Sequence, residues 1–143
     1  MGQPEWLVLQ TLSFFLNGWE ESYMCGFPRG YDARYWRAMA DANAIIAQCE
    51  DFVYDGRRTD GKVRLAPKKP FRVIPNVSSY LDWTREGVPV VQSVAYELNG
   101  KILVALLNFA DEEDAEFDLY YDGKLVEAGI RLAASSVKVV VSR

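Results

Sequence analysis

The sequence predicts an α+β fold, with two helices flanking a short strand in residues 1–51 and an antiparallel β-sandwich over residues 52–143. Three observations carry this prediction. Apolar residues recur at helical spacing in the first third of the chain. After it, period-two runs alternate with turn signals. Asn99-Gly100 and Asp122-Gly123 also sit between apolar runs, where a two-residue hairpin turn belongs.

The first helix is expected from Pro4, a favourable first-turn residue, to Asn17, with Gly18 as the stop. Gln3, Gln10, Ser13, Asn17 and Glu21 fall on one narrow polar stripe. Trp6, Leu7, Val8, Leu9, Leu12, Phe14, Phe15 and Leu16 cover most of the remaining circumference. A surface helix needs an apolar arc of roughly 100°. This one has far more, so the expectation is that it seeks protein on several sides, from a missing portion or by self-association.

"ESYMCGF" fits a short buried strand, Ser22–Phe27, whose backbone needs ladder partners on both sides. The second helix is expected from Asp32, an N-cap residue, to Glu50. Trp36, Met39, Ala42, Ile46 and Cys49 make its inward stripe, and Arg37 and Asp41 an exposed i,i+4 pair.

Between the helical and β portions, "DGRRTDGKVRLAPKKP" is polar, broken by Gly and Pro, and reads as linker-like. Strands are expected at Lys62–Ala66, Phe71–Pro75, Val90–Leu98, Lys101–Phe109, Ala115–Tyr121, Lys124–Val126 and Ser136–Ser142. "KILVALLNF" is apolar on both faces, as a central strand requires. "AEFDLYY" alternates, as a strand with one wet face does. Turns about every ten residues point to a small sandwich.

Composition narrows the function. With 143 residues, half of them hydrophobic and a quarter charged, the chain has the size and balance of a globular domain. A net charge of −4 gives no basic surface for nucleic acid or an anionic membrane. The absence of histidine excludes His-dependent triads and His-ligated zinc. Cys25 and Cys49 lack metal-ligand spacing and read as two buried small apolar residues. "WLVLQTLSFFL" is too short and too polar-interrupted to span a bilayer. It lacks the basic flank and cleavage site of a signal peptide, which leaves the cytoplasm as the default compartment. Gly26, Gly30 and Gly56 are too far apart for a phosphate loop, and no metal or cofactor is expected.

"LVALLNFADEEDAEFDLYYDGKL", followed by "RLAASSVKVVVSR", resembles the C-terminal antiparallel β-sandwich domain of many glycoside hydrolases. There a strand ending in Asn-Phe or Asn-Tyr leads through an acidic turn into an alternating strand. "GFPRGYDARYWRAMADANAIIAQCEDFVYDGRR" resembles the last βα unit of the (β/α)8 barrel that precedes such a domain. The resemblance implies a C-terminal fragment of a carbohydrate-active hydrolase. Residues 1–51 would be a barrel remnant and residues 52–143 a structural accessory domain. Pro4–Asn17 would be the seventh barrel helix, Ser22–Phe27 the eighth strand and Asp32–Glu50 the eighth helix.

Barrel enzymes place their sites at the C-terminal ends of the strands, here the loop from Phe27 to Asp32. Phe27, Arg29, Tyr31 and Asp32 are therefore candidate carbohydrate-binding residues. Arg29 would hold a carboxylate or sugar hydroxyls, Tyr31 would stack on a ring, and Asp32 would accept from hydroxyls. The plainer roles are a solvated charge, a packing residue and a helix cap. Trp83, with Tyr80, is the candidate exposed ring of the β portion.

A glycosidase needs two carboxylates flanking the scissile bond. Glu20 and Glu21 precede the strand, on the wrong face of a barrel, and Asp111–Asp114 reads as a solvated hairpin turn. No catalytic pair is found, so the chain is expected to be inactive alone. A stand-alone carbohydrate-binding module and a protein-interaction domain are the alternatives.

Overall fold

A computed structural model describes residues 4–18, 33–74 and 87–142. Within them lie two helices, α1 (Pro4–Leu16) and α2 (Ala33–Asp55). They are followed by β1 (Arg57–Arg58), a single 3-10 turn (Asp60–Lys62), β2 (Val63–Pro67), β3 (Val73–Ile74) and β4 (Val88–Pro89). The chain continues as β5 (Val91–Leu98), β6 (Lys101–Asn108), β7 (Ala115–Tyr121), β8 (Lys124–Leu132) and β9 (Ser136–Ser142). All described strand pairs are antiparallel, in sheets ordered β1-β5-β6-β9, β2-β7-β8 and β3-β4. The α+β class holds.

Both hairpins form where their dipeptides place them. Asn99 and Gly100 have φ of 50° and 76°, Asp122 and Gly123 of 49° and 76°. Positive φ at both central residues defines the type I′ turn, whose twist matches that of the flanking strands. In β6, Leu103, Ala105 and Leu107 pack toward the helices while Val104 and Leu106 pack toward the second sheet. It is the central strand that "KILVALLNF" implies. β7 buries Ala115, Phe117, Leu119 and Tyr121 and leaves Glu116 exposed.

One apolar cluster joins Ala95, Val104 and Leu106 of the four-stranded sheet to Phe117, Leu119 and Ile130 of the three-stranded one. A second joins the opposite face of the four-stranded sheet (Val94, Tyr96, Leu103, Ala105, Leu107) to Leu9, Leu12, Phe15 and Leu16 of α1 and Cys49 and Phe52 of α2. Cys49 is a free, buried cysteine, and burial pushes its thiol up to about 11.

This second cluster corrects the expectation for the first helix. Leu9, Leu12 and Leu16 are fully buried by α2 and the sheet, and Leu7 and Phe15 are nearly so. Tyr96 also donates its hydroxyl to the Leu16 carbonyl (2.8 Å), satisfying an acceptor that the helix end would otherwise leave bare. Gly18, at φ 85°, stops the helix as expected.

Other expectations shift. The inward stripe of α2 is Tyr35, Ala38, Ala42, Cys49 and Phe52, whereas Trp36 is 54% exposed. Small Ala38 and Ala42 lie on the buried side of α2, which packs against α1. The helix continues past Glu50 because Phe52 falls one turn after Cys49 on the same face. It ends at Gly56, where any Cβ would come within 2.3 Å of the Phe52 carbonyl oxygen and 3.0 Å of that of Glu97.

The linker-like stretch is ordered. Arg57 and Arg58 pair with Glu97 and Tyr96, and Val63–Pro67 pairs with β7. β8 runs beyond Val126 because a register shift absorbs the break at Gly129 (φ 63°), whose N–H is accepted by the Asp118 carboxylate (2.7 Å).

Candidate functional site

The sequence-derived candidates Phe27, Arg29, Tyr31, Asp32 and Trp83 lie outside the described residues, as do Cys25, Tyr80, Glu20, Glu21 and the strand Ser22–Phe27. Within the described residues, polar chemistry gathers at two places. Each lies where the chain passes between the two larger sheets.

The first is the end of the sheets that carries both type I′ turns. Glu97 is the last acidic residue of β5 before the Asn99-Gly100 turn, and Tyr121 precedes the Asp122-Gly123 turn. Glu97 Oε1 accepts from Lys62 Nζ (2.7 Å) and from the Tyr121 hydroxyl (2.6 Å); its Oε2 accepts from the Arg57 guanidinium (2.5 Å). Thr59, buried, places its hydroxyl 2.8 Å from the Tyr121 oxygen, where it donates. The group therefore links β1, the 3-10 turn and β5 to β7 across the layers.

Lys62, Tyr121 and Arg57 together hold the Glu97 carboxyl down to about 2. Lys62 and Arg57 are raised by the same bonds, and burial followed by Glu97 raises Tyr121. At neutral pH Glu97 is ionised and has no proton to give. Three donors engage its oxygens, so it is poorly placed to take a proton from a substrate. Its role is to tie the sheets together. Beside it opens a cavity of about 680 Å³, floored by Ile102, Leu125 and Val126 and rimmed by Arg57, Asp122 and Lys124.

The second place is the crossing from β6 to β7. Residues Asp111–Asp114 do not form a hairpin turn, because β6 and β7 belong to different sheets. They are exposed, as expected, but anchored. Asp111 accepts from the Trp6 indole N–H (2.9 Å), and Asp114 accepts from the Ala134 N–H (3.1 Å) and faces Arg131 at 3.7 Å. Asn108, fully buried, holds the crossing from within. Its amide donates to the carbonyls of Glu113 (2.8 Å), Ala133 (3.1 Å) and Leu132 (3.3 Å), and its Oδ1 accepts from the Ala110 N–H (3.0 Å). This is the Asn of the Asn-Phe pair, and its work is structural.

Sequence reasoning missed Glu97, Lys62, Arg57 and Tyr121. Their one signal was a lone acid closing an otherwise uncharged strand, "VVQSVAYEL", with basic residues concentrated in "GRRTDGK". Among the described residues, no group of three or more acidic or thiol side chains is placed to hold a metal ion. No helix of the described residues is long and apolar enough to cross a membrane. Comparison with protein-family models, with curated proteins and with solved structures gives no match to this chain.

Proposed function

We propose that this chain is a C-terminal portion of a carbohydrate-active hydrolase, in which a final barrel βα unit leads into a β-sandwich that serves as a structural accessory domain without an active site. One observation carries the non-catalytic part of this reading. Glu97 is a carboxylate at a sizeable cavity, bonded to the Tyr121 hydroxyl, and it is held ionised by Lys62, Tyr121 and Arg57. Asp60, Asp111, Asp114, Glu116, Asp118 and Glu127 likewise accept hydrogen bonds that brace turns, strands or sheet edges. General acid catalysis on a glycosidic oxygen needs a carboxyl kept protonated near neutral pH. The environment of Glu97 does the reverse.

The accessory-domain part is supported by the two sheets sharing one apolar cluster and by the buried Asn108 at the turn that carries the resemblance. The barrel-remnant part rests on the strand–loop–helix grammar of residues 22–50. It draws little support from α1, whose apolar side chains are mostly covered within the chain, Phe14 being the exposed one.

The test is turnover. The purified chain is expected to release no chromophore from a panel of aryl glycosides, and measurable hydrolysis overturns the proposal. A continuous reading frame of about 250 codons upstream, the size of a full barrel, is the expected genomic context. Saturable polysaccharide binding by the isolated chain, lost on Trp83→Ala, favours a stand-alone binding module instead.

A further inference from the structure

We propose that the cavity between the two type I′ turns is a binding site for a small amphipathic anion, an aliphatic chain ending in a carboxylate or a similar group. The inference does not depend on the hydrolase reading.

The floor of the cavity is apolar and continuous with the interior. Ile102 and Val126 pack against the cluster between the sheets, and Leu125, 54% exposed, extends that surface outward. An aliphatic segment laid there removes both its own surface and this edge of the core from water. The volume, about 680 Å³, lies within the roughly 300–1,000 Å³ typical of small-molecule sites.

The rim supplies charge. The Glu97 charge is already matched by Lys62 from within the fold, and Tyr121 donates to the same oxygen. Arg57 spends one amino group on it, stays 73% exposed, and keeps further N–H donors in a fixed orientation. Lys124 is exposed beside the second turn, and among the described residues its ammonium group makes no ion pair or hydrogen bond. Asp122, in the turn, is the opposing carboxylate on the same rim. Two cations with donors to spare thus face one carboxylate, so an anionic head group is favoured over a cationic one. A neutral sugar suits the site less well. Its lining ring, Tyr121, is buried and hydrogen-bonded, leaving aliphatic side chains where a pyranose face would stack.

The experiment is a titration of the 15N-labelled full chain with sodium octanoate, kept below its micelle concentration and followed by amide chemical shifts. Saturable shifts are expected at Asn99, Gly100, Gly123 and Lys124. Hexanoate should bind more weakly by up to about 15-fold, since each buried methylene contributes up to about fourfold. Acetate should give no saturable shift, and 1-octanol should bind at least fivefold more weakly than octanoate. Lys124→Glu and Leu125→Asp both alter exposed side chains, so both should keep the wild-type melting curve while losing at least tenfold in affinity. Lys69→Glu, at the opposite end of the sheet, should change nothing. The proposal is overturned if octanoate gives no saturable shift, if Lys124→Glu or Leu125→Asp binds as tightly as wild type, or if a linear malto-oligosaccharide moves the same resonances.

Discussion

Replacing Asn108 by alanine should remove a large share of the stability of this fold, and the structure allows the loss to be worked out. The Asn108 amide has two hydrogens, shared among the carbonyls of Glu113, Ala133 and Leu132, and its oxygen accepts one from Ala110. Three hydrogen bonds at a net value of about 1 kcal/mol each give about 3 kcal/mol. Ala110 is itself buried, so leaving its N–H unpaired adds about 1–2 kcal/mol. The expected loss is about 4–5 kcal/mol, against a total of about 5–15 kcal/mol for a domain.

Asn108→Asp sharpens the test because it barely changes shape. It replaces a donor by an anion facing three carbonyl oxygens, so at neutral pH it should be worse than alanine. The substituted carboxyl would have its folded pKa raised above the unfolded value. Its penalty is therefore absent below the unfolded pKa and grows as pH rises through the folded one. Urea unfolding followed by far-ultraviolet circular dichroism at pH 4 and pH 7 measures both effects. Should Asn108→Ala stay within about 1 kcal/mol of wild type, or Asn108→Asp match wild type at neutral pH, Asn108 does not hold the crossing.

Glu97 should govern the acid limb of stability. Its folded pKa of about 2 lies below the ordinary 4.5, so its contribution is complete above 4.5 and is lost as pH falls toward 2; Glu97→Gln should flatten that limb in melting temperatures taken from pH 2 to pH 7. Leu12→Ala should cost about 2–5 kcal/mol, as a fully buried leucine does. Leu12→Asp should unfold the monomer instead of splitting a dimer, which analytical ultracentrifugation combined with circular dichroism distinguishes.

Much of the fold could be read from residue types because local chemistry and tertiary demand agree there. Asn99-Gly100 and Asp122-Gly123 needed positive φ, and the strands on either side supplied the matching twist. Ala115–Tyr121 and Ser136–Ser142 begin and end where their patterns do. Arg57–Arg58 could not be found this way. Two arginines carry no strand periodicity, and their pairing is dictated by Tyr96 and Glu97, some forty residues away. The α2 stripe was misread in part. The expected stripe holds at Ala42 and Cys49, whereas the large Trp36 lies exposed and Tyr35, small Ala38 and Phe52 take places on the buried side. The Glu97 group is a product of topology, since its three donors come from three separate segments. The Phe27–Asp32 loop and Trp83 lie outside the described residues, so for them the sequence reading stands by itself.

The helical layer and the sheets are energetically one body, which yields a further prediction. Val94, Tyr96, Leu103, Ala105 and Leu107 form a sheet face whose cover is α1 and α2. Cutting the chain at Gly56 would bare that face. Burying a large side chain contributes about 1.5–3 kcal/mol, so the four large residues among the five represent about 6–12 kcal/mol, comparable to the whole stability of a domain. The loss of the Tyr96 bond to the Leu16 carbonyl adds to this. Residues 56–143 expressed alone should therefore bind a hydrophobic dye, show no cooperative thermal transition and aggregate. The full chain should do none of these. A truncated chain that melts cooperatively and stays monomeric would mean that the sheets hold without the helices, and that the apolar face of β6 tolerates water.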